Sequence, residues 1–573
     1  MKQLQHLIKI IPNKTMRKIV FILLLFLANI NSFSQKVAII PQPTSLVEKN
    51  GYFSITANAT IHFTDSATLP SVDFLTAYLK DNYGNNLIKN NSTKNSITLN
   101  LDKTKADESY VLQVDTNGIN ITGGNAEGVF YGVQTLIQLI PVNSKNNLNI
   151  PFVHIEDSPT FAYRGMHLDV SRHFFSVEFI KKYIDYLALH KMNYLHWHLT
   201  DDQGWRIEIK KYPALTTVGA WRNGTYIIER KRKNHNDKNI GNDNKKHGGF
   251  YTQDEIKDIV AYAGKRYITI IPEIEMPGHS NAAIAAYPYL SCFPNEPSKI
   301  KKIDLRRTKI KSRKKIMQHL QNTITGKQVR QYWGVSEDVL CAGKDSTFLF
   351  LEDVLNEIIP LFPSKYIHIG GDECPKANWN KCSACNLRMY QQHLPNTHAL
   401  QSYFIKRIED FLQEKGKTII GWDEILQGGL AKNAVVMSWR GEQGGIKAAK
   451  EKHPVIMAPS NYVYLDHPNS KKDDENLVFK GGYLPIKKIY NWSVIPKKLP
   501  NTYQKYILGG EACVWTEYIN TEATLNKIVF PRIAAVSEAL WTSKVNKNYK
   551  DFSIRLQSQK QRYLLWGIGT KPK

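Results

Sequence analysis

The sequence predicts an α/β protein: a (β/α)8 (TIM) barrel preceded by a smaller α+β accessory domain. Beyond residue 159, short continuous apolar runs recur, each followed by turn signals and mostly by a helical pattern. Continuous apolar runs indicate strands that are covered on both faces, as in a parallel sheet. Eight such runs match the eightfold alternation of this barrel. The runs are 163–170, 194–199, 267–274, 366–371, 418–422, 434–439, 454–458 and 506–510.

The accessory domain is predicted at residues 36–157, where β-like runs at 97–101, 110–114 and 118–122 accompany one helical stretch, 126–139. Residues 158–545 would hold the barrel, with a basic insertion at 298–331. Residues 546–573 are expected to form a C-terminal helical tail. A chain of 573 residues is long enough for two such domains.

Residues 1–35 have the order of a secretory signal peptide. Lys14, Arg17 and Lys18 precede an apolar run at 19–27 and a small, polar stretch at 28–35. The apolar run is short for a bilayer span. We therefore expect an exported protein, periplasmic or secreted, without a stable membrane span.

The net charge of +25 would fit a nucleic-acid partner, but its distribution does not. Residues 298–330 alone carry twelve Lys and Arg against one acid, and they lack interleaved aromatic residues that stack on bases. We expect no nucleic-acid partner. The insertion is interpreted either as a disordered flap or as a rim of a pocket that favours sulfated or otherwise acidic ligands.

Six cysteines in an exported chain can form disulfides. Cys292 and Cys341 flank the basic insertion and would clamp its base if they were paired. Cys382 and Cys385 form a C-x-x-C, for which a small disulfide-closed loop is favoured over half of a zinc site, because no second such pair follows. Cys374 and Cys513 are interpreted as buried and free.

Chemically active side chains follow all eight runs, at the end of the barrel where active sites lie. The pair Asp372–Glu373 stands out, because the preceding Gly370 and Gly371 permit a bend that lets both carboxylates face one pocket. On a regular strand, neighbours would point to opposite faces. The other strand-end residues are Asp169, Arg172, Asp201, Asp202, Trp205, Glu273, His279, Trp422, Asp423, Glu424, Trp439, Arg440, Tyr464, Asp466, Glu511, Trp515 and Glu517, and Arg164 stands at the start of the first run.

Carboxylates beside tryptophans indicate cleavage of glycosidic bonds. One acid protonates the leaving oxygen, negative charge stabilises a developing oxocarbenium ion, and flat rings face the sugar. Adjacent like charges raise one pKa of such a pair, which would leave one protonated donor beside one ionised stabiliser. The sequence has no serine-nucleophile motif and no Gly-rich phosphate cradle.

The barrel motifs resemble those of family 20 glycoside hydrolases, the β-N-acetylhexosaminidases. The resemblance covers residues 160–545, and the preceding region is similar to the accessory domain of that family. Its motifs are HWHLTDDQGWR, PEIEMPGHS, HIGGDEC, GWDEIL, SWRG, YLD and GGEACVWTE.

The resemblance implies an exo-acting, retaining enzyme without a cofactor, whose substrate supplies the nucleophile through its 2-acetamido oxygen. Glu373 would be the acid and then the base, and Asp372 would accept the acetamido N–H. The other implied roles are a cage around the acetamido methyl group (Trp422, Trp439, Trp515), a bond to its carbonyl oxygen (Tyr464), contacts to sugar hydroxyls (Arg164, Glu517) and tuning of Glu373 (Asp201, His279). Asp466 would support either Tyr464 or a sugar hydroxyl.

Two other functions remain open on the residues. His196 and His198 form an H-x-H that is typical of metal-dependent amidohydrolases on the same barrel. A non-catalytic glycan-binding protein could also keep the barrel, although it would be expected to lose Asp372 or Glu373. Arg164 could instead be an ion-pair partner of Asp169.

Overall fold

The computed structural model describes residues 37–90, 95–142, 144, 148–228, 240–303, 310–470 and 482–569. The predicted signal peptide lies outside the described residues. Ile39–Lys573 forms one compact unit.

Eight parallel strands close into a barrel, which confirms the predicted fold class. Each strand pairs with the next barrel strand along the chain, and the eighth pairs with the first, with Gly510 opposite Arg164. The third strand runs two residues beyond its predicted end, so both Glu273 and Glu275 lie within it. The barrel strands, first to eighth, are Tyr163–Asp169, Tyr194–His198, Thr269–Met276, Tyr366–Gly370, Thr418–Trp422, Val435–Ser438, Val455–Met457 and Ile507–Ala512.

The accessory region is a seven-stranded mixed sheet with two helices, Leu69–Tyr83 and Ala126–Leu139. Asn125 caps the second helix, since its side chain accepts from the Gly128 N–H. The strands are Ser45–Ile55, Thr60–Phe63, Ile88–Lys89, Ser96–Leu101, Tyr110–Asp115, Gly118–Gly123 and Leu148–Asp157.

The accessory sheet joins the barrel through buried polar contacts at its last strand. The Lys191 Nζ lies 3.0 Å from Asp157 Oδ2, and both side chains are fully buried. Trp541 Nε1 also donates to this carboxylate at 3.0 Å. Because each buried polar group here has a partner, the junction avoids the cost of an unpaired charge.

The remaining elements surround the barrel or build its loops. Among the described residues, no helix combines the length and apolar character needed to cross a membrane. The short strands are Thr200–Asp201, Gly204–Trp205, Trp221–Arg222, Tyr226–Ile228, Ile240–Asn242, His247–Gly248, Ile300–Ile303 and Gly334–Ser336. The helices are Val177–Leu189, Ala214–Thr217, Gln253–Gly264, Asn281–Ala286, Ile310–Asn322, Asp345–Ile358, Ala377–Lys381, Ser383–Gln391, Thr397–Glu414, Gln443–Lys450, Ser460–Val463, Ile486–Tyr490, Asn501–Gln504, Glu522–Val529, Arg532–Trp541 and Tyr549–Leu565.

All six cysteines lie in the described residues, and all are free thiols. The predicted disulfide loop between Cys382 and Cys385 is therefore not formed, and Cys292 is not paired with Cys341. Cys513 is buried and free, as predicted, and Cys374 is free and partly buried.

Candidate active site

A sharp bend ends the fourth barrel strand and carries the two central carboxylates. Gly370 and Gly371 have φ angles of 67° and 89°, and Glu373 itself has a φ of 37°. A Cβ at position 370 would lie 1.8 Å from the Glu275 Oε2, so only glycine fits there. The predicted bend is confirmed, and it frees Asp372 and Glu373 from the alternation of a regular strand.

Both acids face the same histidine. The Nε2 of His279 lies 3.7 Å from Asp372 Oδ2 and 3.9 Å from Glu373 Oε2. Its other ring nitrogen, Nδ1, lies 3.2 Å from Asp201 Oδ1. The opposite oxygen of Asp201 lies 2.7 Å from Arg172 Nη2. The structure thus brings Asp201, His279 and the acid pair into one chain of contacts.

His279 carries a positive charge at neutral pH. Burial alone lowers the pKa of His279, but the charges of Asp201 and Asp372 outweigh burial and raise it to about 10. A cation between Asp201 and the acid pair orients the carboxylates and attenuates their mutual repulsion. His279 thus links Asp201 to the acid pair, and the role of both residues in tuning Glu373 remains a prediction.

The structure raises the pKa of Asp372, whereas the resemblance implies that Glu373 is the protonated donor. Burial, followed by the charges of Glu273 and Glu373, raises the pKa of Asp372 to about 6 against the opposing effect of His279. The reason is depth: the Asp372 side chain is 13% exposed and that of Glu373 is 34% exposed. Desolvation of the deeper carboxyl favours its neutral form.

Three tryptophans and a tyrosine form one aromatic wall, as the resemblance implies. The ring centroid of Trp515 lies 5.8 Å from that of Trp422 and 6.2 Å from that of Tyr464. Trp439 stacks on Tyr464 at 6.2 Å with an interplanar angle of 14°. Trp422 is buried, whereas Trp439 and Trp515 are only partly buried against this cluster. The wall therefore keeps apolar ring surface available to a ligand.

Hydrogen bonds to carboxylates fix two of these indoles. Trp422 Nε1 donates to Glu273 Oε1 at 2.9 Å, and Trp439 Nε1 donates to Glu424 Oε2 at 2.9 Å. Burial, together with the charges of Asp372 and Asp423, raises the pKa of Glu424 to about 8. The wall is thus held rigidly beside the acid pair.

Two further predicted residues border this site. Asp466 is buried and near Tyr464, where its charge contributes to a pKa of the phenol well above the usual value, after the larger effects of burial and Cys513. Glu517 is near Arg172, whose pKa its charge helps to raise. Both lie at the carboxyl end of the barrel, as predicted, and their roles remain predictions.

The predicted role of Arg164 in holding the sugar is wrong. Arg164 opens the first barrel strand, and the first residues of a parallel strand lie at the end of the barrel opposite the active site. Its guanidinium is buried, with Nη2 2.8 Å from Glu108 Oε1 of the accessory domain and Nε donating to the Lys191 carbonyl at 3.0 Å. Pairing of Arg164 with Asp169 is likewise not observed.

Arg172 is the arginine of this site. It follows the end of the first strand, and it contacts Asp201 at 2.7 Å and Asp169 at 3.4 Å. Its guanidinium carbon lies 5.0 Å from the Trp515 ring centroid. Its position after the strand end, rather than before the strand, was the sequence signal that separates it from Arg164.

The H-x-H of the second strand belongs to a buried network of ion pairs. His196 Nδ1 lies 2.8 Å from Glu511 Oε1, and His198 contacts both Glu273 and Asp201. Burial lowers both histidine pKa values, but these acids raise the pKa of His196 to about 9 and that of His198 to about 10. Both ring nitrogens of each histidine thus have a carboxylate partner in this network.

Sequence reasoning missed Glu275 as a site residue. Burial and the charge of Asp372 raise the pKa of Glu275 well above the usual range, so it is a neutral carboxyl beside the acid pair. Glu273 and Glu275 are two residues apart in one strand and therefore share a face. The alternation of the two glutamates in PEIEMPGHS was the sequence signal that Glu275 faces the site together with Glu273.

The basic insertion reaches the acid pair. Lys302 Nζ lies 3.1 Å from Glu373 Oε1. The described part of the insertion has its own small core, and Arg330 anchors it with Nη1 2.5 Å from Asp202 Oδ2. The core residues are Ile300, Ile303, Ile316, Leu320, Ile324 and Tyr332. For these residues the flap interpretation is wrong; residues 304–309 lie outside the described part of the chain.

Paired carboxylates, a positioning histidine and an aromatic wall at the carboxyl end of a (β/α)8 barrel define a glycoside hydrolase. Two family models identify which family of glycoside hydrolases the chain matches. The catalytic domain of glycosyl hydrolase family 20 matches residues 161–544, and domain 2 of that family matches residues 36–158. The chain belongs to glycosyl hydrolase family 20, and the predicted family is confirmed.

Individual relatives agree with the family models. The beta-hexosaminidase of Porphyromonas gingivalis is 43% identical over 551 residues, 94% of this chain and 65% of that protein. That of Vibrio furnissii is 32% identical over 513 residues, 89% of this chain and 77% of that protein. The chain thus spans less than two thirds of the length of the Porphyromonas relative.

Solved structures of β-N-acetylhexosaminidases and related family 20 enzymes are also similar to this chain. A family 20 exo β-N-acetylglucosaminidase from Vibrio harveyi, in complex with N-acetylglucosamine, matches with a TM-score of 0.80 and 32% identity over 94% of this chain and 78% of that chain. The β-N-acetylhexosaminidase from Bacteroides fragilis matches with a TM-score of 0.74 and 30% identity, over 93% of this chain and 97% of that chain.

Proposed function

We propose that this chain is an exo-acting β-N-acetylhexosaminidase that removes terminal, non-reducing, β-linked N-acetylhexosamine (GlcNAc or GalNAc) with retention of configuration. One observation carries the proposal: Asp372 and Glu373 leave the bend together, face His279 and lie beside the aromatic wall. Such a site has a proton donor, a charge stabiliser and an apolar surface for an acetamido methyl group.

In the first step, the carbonyl oxygen of the substrate's 2-acetamido group attacks the anomeric carbon. The glycosidic bond breaks, and Glu373 donates its proton to the departing oxygen. The product of this step is an oxazolinium ion. Asp372 accepts the hydrogen bond of the ring N–H, and its negative charge stabilises the cation.

In the second step, Glu373 acts as a base. Its carboxylate takes a proton from water as the water oxygen attacks the anomeric carbon, and the bond to the acetamido oxygen breaks. The sugar leaves with its acetamido group restored and Glu373 protonated. Two inversions at one carbon give net retention.

Other contacts position the acetamido sugar. Trp422, Trp439 and Trp515 enclose the methyl group, and the Tyr464 hydroxyl donates to the acetamido oxygen. Arg172, in place of Arg164, holds the sugar hydroxyls together with Glu517. The Vibrio harveyi structure, in complex with N-acetylglucosamine, supports an acetamido sugar as the ligand.

The test compares an aryl β-N-acetylglucosaminide with the matching aryl β-glucoside. Since the glucoside lacks the nucleophile, we expect its kcat/KM to be lower by at least about 10³-fold, well below the effective molarities of about 10⁵–10⁸ M that well-oriented intramolecular reactions reach. Equal turnover of the two sugars would refute substrate assistance. It would still be consistent with a glycosidase that uses another nucleophile.

The insertion favours a more specific substrate class. We propose that Lys302, at the mouth of the site beside Glu373, pairs with acidic groups such as a sulfate on the glycan. The Lys302 side chain is 52% exposed, so its ammonium is accessible to a ligand. An exposed ion pair of this kind contributes about 1 kcal/mol at most.

Replacing Lys302 by Ala is expected to lower the ratio of kcat/KM for 6-sulfated over neutral N-acetylglucosaminides about fivefold, consistent with one exposed ion pair. Lys301→Ala is the matched control, because Lys301 is equally exposed but pairs with Glu337 at 3.2 Å. Unchanged ratios in both variants would exclude a role of Lys302 in selectivity.

Export is also proposed, from Lys14, Arg17 and Lys18 ahead of the apolar run. Cell fractionation of a producing bacterium would test it: activity in the periplasm or medium supports export, and activity confined to the cytoplasm contradicts it.

A further inference from the structure

Four of the six cysteines, from three separate segments of the chain, meet in one buried cluster. Cys292, Cys341, Cys382 and Cys385 are all buried, and their four sulfurs lie within 4.8 Å of one another. The Sγ of Cys385 lies 3.8 Å from that of Cys292 and 3.7 Å from that of Cys341. The Sγ of Cys341 is also 3.8 Å from that of Cys382.

These spacings are those of a tetrahedral metal site. A disulfide joins its sulfurs at about 2.05 Å. Zinc binds thiolate sulfur at about 2.3 Å, which places tetrahedral ligands about 3.8 Å apart. Three of the sulfur–sulfur separations fall at that value, and the sulfurs of Cys341 and Cys385 each have two neighbours at it. Two independent disulfides do not require all four sulfurs to lie within 4.8 Å of one another, whereas a single tetrahedral ion does. We propose that Cys292, Cys341, Cys382 and Cys385 bind one structural Zn²⁺ ion.

The backbone around the cluster suits thiolate ligands. Cys382 immediately precedes the helix Ser383–Gln391 and Cys385 lies in its first turn, where the positive end of the helix dipole favours negative charge. The segment of Cys341 packs tightly against this turn. A Cβ at Gly343 would lie 2.2 Å from the carbonyl carbon of Ala384, so the two segments approach as closely as glycine allows.

The segment of Cys292 is fixed in the same place. Lys344, three residues after Cys341, donates from its Nζ to the carbonyls of Ser291 at 2.7 Å and Tyr289 at 3.0 Å. The Cys341 N–H donates to the Leu290 carbonyl at 2.8 Å. These bonds hold Cys292 against Cys341 and bring a lysine charge near a site that would carry net negative charge.

The four cysteines lie where a bound metal would connect two loops of the active-site end of the barrel. Cys292 and Cys341 flank the basic insertion, and Cys382 and Cys385 follow the bend that carries Asp372 and Glu373. A metal held by all four would close the base of the insertion and fasten it to the loop after the acid pair. Four protein ligands leave no open coordination position, so the ion would stabilise the fold and take no part in the reaction.

The deciding measurement is the metal content and thiol state of the full-length protein, purified without added metal. We expect about one zinc per chain by elemental analysis and six alkylatable thiols after denaturation with a chelator. Iron in place of zinc would overturn the choice of metal. An intact mass lower by four hydrogens, with no metal, would show two disulfides and overturn the proposal, an outcome that an oxidising compartment would favour.

A pair of variants tests the ligand set. Cys385→Ser is expected to lower the zinc content at least about tenfold and to reduce the melting temperature, because loss of a thiolate ligand weakens the site. Cys374→Ser, a free cysteine outside the cluster, should retain full zinc. Equal zinc in both variants would overturn the assignment. If Cys385→Ser fails to fold, zinc removal from the wild-type protein by a chelator replaces it, and an unchanged melting temperature would overturn a structural role.

Discussion

Replacing Glu373 by Gln is expected to lower kcat for aryl N-acetylhexosaminides with poor leaving groups by about 10²–10⁴-fold, the usual contribution of general acid–base catalysis. The amide keeps the shape of the side chain but cannot donate or take the proton. The loss should shrink for a dinitrophenyl leaving group, which departs without protonation. Steady-state kinetics over a series of leaving groups measures both effects.

Glu296→Gln is the matched control for this variant. Glu296 is an exposed carboxylate in the segment that follows the third barrel strand, and it pairs with Lys299 at 3.2 Å. Its replacement should leave kcat unchanged. An equal loss with all leaving groups in Glu373→Gln would mean that Glu373 positions the substrate and does not transfer a proton.

Replacing Asp372 by Asn is expected to lower kcat by about 10²–10³-fold, as for removal of one preorganised electrostatic stabiliser. The neutral amide cannot balance the charge of the oxazolinium ion. In the wild type, Asp372 must be ionised, and its pKa of about 6 places the acid limb of the kcat/KM profile near pH 6. That limb should vanish in the variant.

The stability of the Asp372→Asn variant separates chemistry from misfolding. Burial raises the pKa of Asp372 from 3.8 to about 6, so between these pH values the folded protein holds a proton that the unfolded chain releases. The contribution of Asp372 to the free energy of unfolding therefore falls as the pH rises through this window. At pH 7 the variant should be at least as stable as the wild type. A less stable variant would point to a structural role.

The fold could be predicted because its signal is local and repeated. Strands covered on both faces are continuous apolar runs, and the observed fourth strand, Tyr366–Gly370, ends one residue from its predicted end. The accessory helix Ala126–Leu139 has its predicted bounds, because Asn125 caps it and its apolar residues are buried. The bend at Gly370 and Gly371 could be predicted because glycine adopts positive φ angles without a steric penalty.

Contacts between distant segments could not be predicted. Lys302 meets Glu373 because the insertion folds over its own core, and no local pattern shows where its strand lies. The four cysteines suggested two separate pairs, since only the fold brings the base of the insertion to the loop after the acid pair. The pKa of Asp372 depends on depth, which the order Asp-Glu does not reveal.

The central claim is that the substrate supplies the nucleophile while Asp372 and Glu373 orient it and move a proton. Aryl glucosaminides bearing acetyl, fluoroacetyl, difluoroacetyl and trifluoroacetyl groups on nitrogen test this directly, because each fluorine weakens the carbonyl oxygen as a nucleophile. We expect kcat/KM to fall steeply at each step of the series. A flat series, or a sugar trapped as an ester on a protein carboxylate, would contradict the account.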